Sequence, residues 1–298
     1  MRKLLIFALA GFVAQLIDGS LGMGFGASSS SILLTFGITP AVVSATVHFS
    51  EIATTAASGT SHLKFKNVHK PTMFKLAIPG AVTAFVGAAL LTHIKGDNIK
   101  PFIALFLLSM GLYILYQFLF KRNHPTEQRK TGNIKSYVAV SQGAIAGFLD
   151  SIGGGGWGPV NTPLLLSSKK LEPRFAIGTV SASEFFVTLS ASVSFVIFLG
   201  VSQINWGLVI ALSIGGMIAA PISALLVRIL PVNILAICVS GLIIFTNSNA
   251  LLQYLVPSAS IANIIKIGIV LAFIILMLFV INRNRSFKQA KNKKKVEV

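Results

Sequence analysis

The chain has 298 residues, 54% of them hydrophobic and 11% charged. A soluble domain carries about 25% charged residues, so this composition excludes an ordinary water-soluble fold and places the chain in a membrane. The net charge of +17 does not mark a nucleic-acid binder, because seven of the 25 Lys and Arg crowd into Arg283–Lys295 and most others sit in short loops, where charge orients a membrane protein or touches anionic lipid.

In chain order, Met1–Ala10 resembles a signal peptide, but no cleavage site follows and the segment is expected to be retained. Leu4–Asp18 and Ala27–Phe36 are each read as too short to cross a bilayer alone, and they flank a glycine-rich break. Spans are predicted at Ala41–His62, Met73–His93 and Pro101–Phe120, each near the ~20 apolar residues that a crossing takes. A basic linker follows at 121–135. Tyr137–Asp150 and a run ending near Ser168 then flank a second glycine break, and Pro159 and Pro163 let the second short helix start as late as Asn161. Further spans are predicted at Phe175–Leu199, Trp206–Val227, Val232–Leu252 and Ile261–Ile281, before the basic tail. Cys238, alone of its kind, lies in an apolar helix and reads as packing.

The two breaks are copies. Asp18-Gly19-Ser20-Leu21-Gly22-Met23-Gly24-Phe25-Gly26 matches Asp150-Ser151-Ile152-Gly153-Gly154-Gly155-Gly156-Trp157-Gly158. One inserted residue later, Pro40, Thr46, Ser50, Glu51 and Thr55 fall on Pro173, Thr179, Ser183, Glu184 and Thr188. A duplicated, glycine-interrupted apolar segment points to a transporter binding site. Basic residues select its topology. If each broken pair enters and returns on one side, 20 of the 25 Lys and Arg share a face; if each pair crosses, the split is 12 to 13. The positive-inside rule favours the re-entrant arrangement. Each repeat then has a hairpin and three spans, an odd number, so the second repeat is inserted inverted.

The expected architecture is an all-α polytopic membrane protein of two inverted repeats, each a re-entrant broken-helix hairpin plus three transmembrane helices, with one extra C-terminal transmembrane helix. Repeat 1 covers 1–120, the cytoplasmic linker 121–135, repeat 2 136–252, the final helix 253–282 and the cytoplasmic tail 283–298. The protein is expected in the cell membrane, multi-pass, with its C-terminus cytoplasmic.

Glycine loops at mid-membrane expose backbone N–H groups, and the short helix after each aims its positive end at the same spot. Gly22, Gly24, Gly26, Ser28 and Ser29 in one repeat, and Gly154, Gly156, Gly158, Asn161 and Thr162 in the other, are the candidate substrate-binding residues, with Ser30 a further donor. No Lys or Arg lies in either hairpin core, so the site suits a small oxyanion held by neutral donors. The alternative is that the glycines only allow close helix packing.

Of the eight acids, Asp18, Glu51, Asp150 and Glu184 lie within apolar segments as two matched pairs. A carboxyl inside a bilayer is costly and reads as functional by default. These four, with His48 one turn before Glu51, are the candidate proton-coupling residues. The alternative is that Asp18 and Asp150 cap the broken helices while Glu51 and Glu184 bond loop amides. The position matching His48 is Ser181, and Phe25 and Trp157 match at the loops, as gates or as filler. No catalytic triad order, HExxH, phosphate-binding GK[ST] or zinc spacing is present, and neither a metal nor a cofactor is expected.

At FLDSIGGGGWGPVNTPLL (Phe148–Leu165), VAQLIDGSLGMGFGASSS (Val13–Ser30), and Thr179, Ser183 and Glu184, the chain resembles the sulfite exporter TauE/SafE family, the toluene sulfonate uptake permeases. The resemblance covers both halves and departs at Ser20 and Met23, where a denser glycine run is typical. It implies a permease for sulfur oxyanions or organosulfonates such as sulfite or sulfoacetate. The expected function is secondary-active, proton-coupled transport of such an anion by alternating access; a passive anion channel is the alternative, and a membrane enzyme or a sensory subunit ranks below both. Its partners are the anion, protons and the bilayer, without nucleic acid; a homo-oligomer is compatible with this organisation.

Overall fold

The computed structural model describes residues 2–21, 23–120, 132, 134–168, 170–226 and 232–296. Among them are eleven α-helices and no strand. They are α1 (Arg2–Leu21), α2 (Phe25–Thr35), α3 (Pro40–Lys64), α4 (Lys70–His93), α5 (Gly96–Phe120), α6 (Ser136–Gly153), α7 (Trp157–Ser167), α8 (Pro173–Phe198), α9 (Trp206–Leu226), α10 (Val232–Leu255) and α11 (Ala259–Val296). Most of the linker, Gly22 and Arg228 lie outside the described residues.

Five helical segments are long and apolar enough to cross a membrane: Lys70–His93, Gly96–Gln117, Arg174–Phe198, Ile237–Leu255 and Ala259–Val280. Two expected spans fall short of that standard. α3 has 25 residues but carries His48, Glu51 and a run of Ser and Thr, and the described apolar part of α9 is Trp206–Ala220. Ile78, Val82, Val86, Phe102 and most of the stretch from Ala259 to Val280 in α11 stand exposed, the surface of a chain whose solvent is lipid.

Three boundaries differ from expectation. α1 and α6 run longer, to Leu21 and Gly153, and α6 stops where Gly154 turns left-handed. At 20 residues α1 has the length of a bilayer span. α7 begins at Trp157, not near Asn161. Pro159 falls in its first turn, where its missing N–H costs nothing, and the helix continues through Pro163.

Packing is exchanged between the halves. α1 lies along α9, α6 lies along α4, α3 packs on α8 and α5 on α10. Glycine makes the first two contacts close. A Cβ on Gly11 would come within 2.5 Å of the Leu212 carbonyl, and one on Gly143 would meet the Leu76 carbonyl in the same way. Gly11 and Gly143 are separated by the same chain distance as Asp18 and Asp150. Backbone contact over small residues is how helices associate in lipid, where hydrophobic burial gives no drive.

Candidate functional site

Each hairpin turns on glycine. Gly24, before α2, has φ 125° and Gly154, after α6, has φ 66°, conformations that a side chain would strain. The Gly154 N–H donates to the Asp150 carbonyl at 2.6 Å and ends α6. The two tips touch. A Cβ on Gly26 would lie 2.5 Å from the Gly154 carbonyl oxygen and 2.9 Å from Glu51 Oε1, and one on Gly155 would overlap the backbone of Ala27. Ser30 Oγ donates to the Gly154 carbonyl at 2.8 Å, and Ser44 Oγ to that of Ser151 at 2.6 Å.

The acids converge on this junction. Asp150 Oδ1 accepts the backbone N–H of Gly156 at 2.7 Å and of Trp157 at 2.9 Å, so a carboxylate sits on the N-terminus of α7. Among the described residues, Asp18 Oδ1 accepts one long contact, from Phe25 N–H at 3.4 Å. The capping alternative thus describes both aspartates in this conformation. At Glu51, which is 2% exposed, Oε2 has no hydrogen-bond partner among the described residues. Glu184 is buried on α8, and all four carboxyls lie near enough to repel one another. No Lys or Arg occurs between Leu4 and Leu63, between Ser136 and Ser168, or between Phe175 and Val227.

His48 reaches across from α3 to Asp150. Its Nε2 lies 3.3 Å from Asp150 Oδ2 and its Nδ1 lies 2.8 Å from the Ser44 carbonyl. A carbonyl only accepts, so Nδ1 carries a hydrogen. Nε2 and Oδ2 then need one proton between them. The ligating atoms of His48, Glu51 and Asp150 fall within 4.8 Å of one another, close enough to share one small cation. The Phe195 ring stands 6.0 Å from the imidazole, and both residues are fully enclosed.

The hydroxyl donors divide. Ser28 Oγ turns back onto the Gly24 and Phe25 carbonyls, at 2.5 and 3.2 Å, and Ser30 is spent on the opposite hairpin. Among the described residues, Ser29 Oγ has no partner and neither does Asn161 at Nδ2 or Oδ1, although both residues are fully enclosed. Ser29 is the fifth residue of α2 and Asn161 the fifth of α7. Thr162, Gly156 and Gly158 are buried beside them, whereas Gly22 is outside the described residues. Phe25 and Trp157 are both buried, and Trp157 Nε1 donates to the Val180 carbonyl at 3.2 Å. That favours filler over gate.

Sequence reasoning missed Ser44, which bonds the second hairpin and the histidine backbone face together. Its signal was its place one turn before His48. It also missed Gln142, whose Nε2 donates to the Asn161 carbonyl at 3.2 Å; nothing in its surroundings in the sequence marks it.

Comparison with known proteins matches residues 7–250 to the family described as sulfite exporter TauE/SafE. A protein of Bacillus subtilis (strain 168), named "Probable membrane transporter protein YtnM", is 47% identical over 283 residues, covering 95% of this chain and 94% of its own. No solved structure matches.

Proposed function

The chain belongs to the sulfite exporter TauE/SafE family of membrane transporters, and from that premise we propose that it is a secondary-active permease for a small anion, a sulfur oxyanion or organosulfonate, coupled to protons. The observation that carries the reading is the meeting of the two glycine tips with an unpartnered polar side chain at the same position behind each, Ser29 and Asn161. A buried polar group without a partner is expensive. An oxyanion offers the acceptors that Ser29 Oγ and Asn161 Nδ2 lack, next to two helix N-termini. Asp18, Glu51, Asp150 and Glu184, with His48, hold the coupling protons.

Alternating access then requires the two halves to rock about the tips, as inverted repeats do in other transporters. A carboxylate repels an arriving anion and a protonated carboxyl does not, so anion affinity rises as pH falls. In proteoliposomes, the permease is expected to exchange labelled sulfite for internal sulfite and to saturate. Unsaturable flux with measurable conductance would establish the passive channel instead.

A further inference from the structure

His48 and Glu51 lie one turn apart on α3, and Asp150 reaches them from the last turn of α6. All three are buried, at 0%, 2% and 1% exposed. One ligating atom from each falls within 4.8 Å of the other two. Neither α6 nor α7 carries a Lys or Arg, and α3 has none before Lys64.

Two of the three are oriented from behind. The Ser44 carbonyl takes the Nδ1 hydrogen of His48 at 2.8 Å, which leaves Nε2 as the ligating nitrogen, facing Asp150. The Gly156 and Trp157 amides fix Asp150 through Oδ1, at 2.7 and 2.9 Å, and leave Oδ2 facing the imidazole. An imidazole whose other ring nitrogen donates to a backbone carbonyl, beside a carboxylate that is itself hydrogen-bonded, is the support that metal ligands use.

Spacing favours a metal ion over a proton. Nε2 and Oδ2 are 3.3 Å apart, longer than the roughly 2.7–2.9 Å of a charge-assisted N–H···O contact. Two ligands held tetrahedrally at about 2.1 Å from one ion stand about 3.4 Å apart. A proton between Nε2 and Oδ2 also leaves Glu51 Oε2, buried beside them, without a partner among the described residues. A metal ion answers all three acceptors at once.

We propose that His48 Nε2, a Glu51 carboxylate oxygen and Asp150 Oδ2 bind one divalent first-row transition cation of the Zn²⁺ type. The imidazole nitrogen disfavours Mg²⁺ and Ca²⁺, hard ions that take oxygen ligands. Two carboxylates and a neutral imidazole balance two positive charges, whereas a monovalent ion leaves a net negative charge buried. Three protein ligands keep a fourth position open. The ion ties α3, in the first repeat, to the second hairpin. The site goes beyond the permease reading and narrows it: with the ion in place, Asp18 and Glu184 are the carboxyls that remain for the coupling protons.

Co²⁺ is the first probe, because its visible spectrum reports coordination. The full chain, purified in detergent and stripped with a chelator, is expected to take up about one Co²⁺ with the strong visible absorption of a four-coordinate site, and Zn²⁺ is expected to displace it. Zn²⁺ is expected to raise the melting temperature of the stripped chain, and Na⁺ and Mg²⁺ are not. His48→Gln, Glu51→Gln and Asp150→Asn are each expected to weaken Co²⁺ binding at least tenfold, while His62→Gln and His93→Gln bind as the natural chain does. X-ray absorption at the zinc edge needs no variant: the loaded natural chain is expected to show a single imidazole among oxygen neighbours. No uptake of Co²⁺ or Zn²⁺ by the natural chain, uptake that survives in all three ligand variants, a zinc shell with no imidazole or with several, or equal stabilisation by Na⁺ or Mg²⁺ overturns the proposal. None of these results touches the permease reading, which sulfite counterflow tests separately.

Discussion

Asn161 places an amide in the second turn of α7 and leaves both of its ends unpaired, fully enclosed. Such groups cost the fold about 1–3 kcal/mol each when buried, and a hydrogen bond to a charged ligand returns about 1.5–3 kcal/mol. The two quantities pull in opposite directions on one substitution. Asn161→Leu, with the same branched side-chain skeleton and no polar atoms, is expected to raise the melting temperature of the unliganded protein. The same change is expected to weaken sulfite or sulfonate binding by about ten- to a hundredfold. A thermal-shift titration reads both at once. If the variant melts lower but responds to the anion as before, Asn161 is a structural residue and the seat lies elsewhere. Ser29→Ala tests the matched position in α2 and is expected to follow with a smaller loss, since it removes one donor where Asn161→Leu removes a donor group and an acceptor.

The hairpins show why parts of this site were legible in the sequence and parts were not. The duplicated glycine breaks and the matched acids could be read off residue identity. Alternating glycines within an apolar run serve a sharp turn or a close backbone approach and little else, and a carboxyl in such a run is too costly to keep without a role. The spans that carry the chemistry were harder to classify. α3 dilutes its own apolarity with Ser44, His48, Glu51, Thr54 and Thr55, all of them buried, so its hydropathy does not mark it as a span. The start of α7 stayed open as late as Asn161 because Pro163 reads as a helix boundary from local rules, yet the packed helix runs through it. Pairing across the chain, such as His48 with Asp150, depends on tertiary contact and has no local signal. The contact between elements that matters most is Gly155 against Ala27. Gly155→Ala forces the tips apart, at an overpacking cost of about 1–3 kcal/mol. The chain is expected to remain folded with a lowered melting temperature and to lose sulfite counterflow. Counterflow at the natural rate would show that the tips need not touch.

For the molecule as a whole, the exchanged pairing of α1 with α9 and α6 with α4, beside the like-with-like pairs α3–α8 and α5–α10, is the pattern expected when two copies of one unit interlock about a pseudo-two-fold axis. Whether that axis lies in the membrane plane depends on where the loops emerge, and charge makes a definite assignment. With re-entrant hairpins, the loops and tail holding 20 of the 25 Lys and Arg share one face, which the positive-inside rule assigns to the cytoplasm. Cys238 is the chain's one cysteine, so a Cys238→Ser background permits single-cysteine mapping with a membrane-impermeant maleimide on intact cells. Lys3→Cys, Phe36→Cys, Asp97→Cys and Ser202→Cys are expected to label from outside, and Lys295→Cys only after permeabilisation. The informative pair is Lys3 and Phe36, at the two ends of the first hairpin. Labelling of both from one face means that α1 and α2 enter and return, which leaves each repeat three crossings and turns the second copy upside down. Labelling from opposite faces would give each repeat an even number of crossings, set the copies parallel, and remove the geometric basis for two helix N-termini meeting from opposite sides of the bilayer.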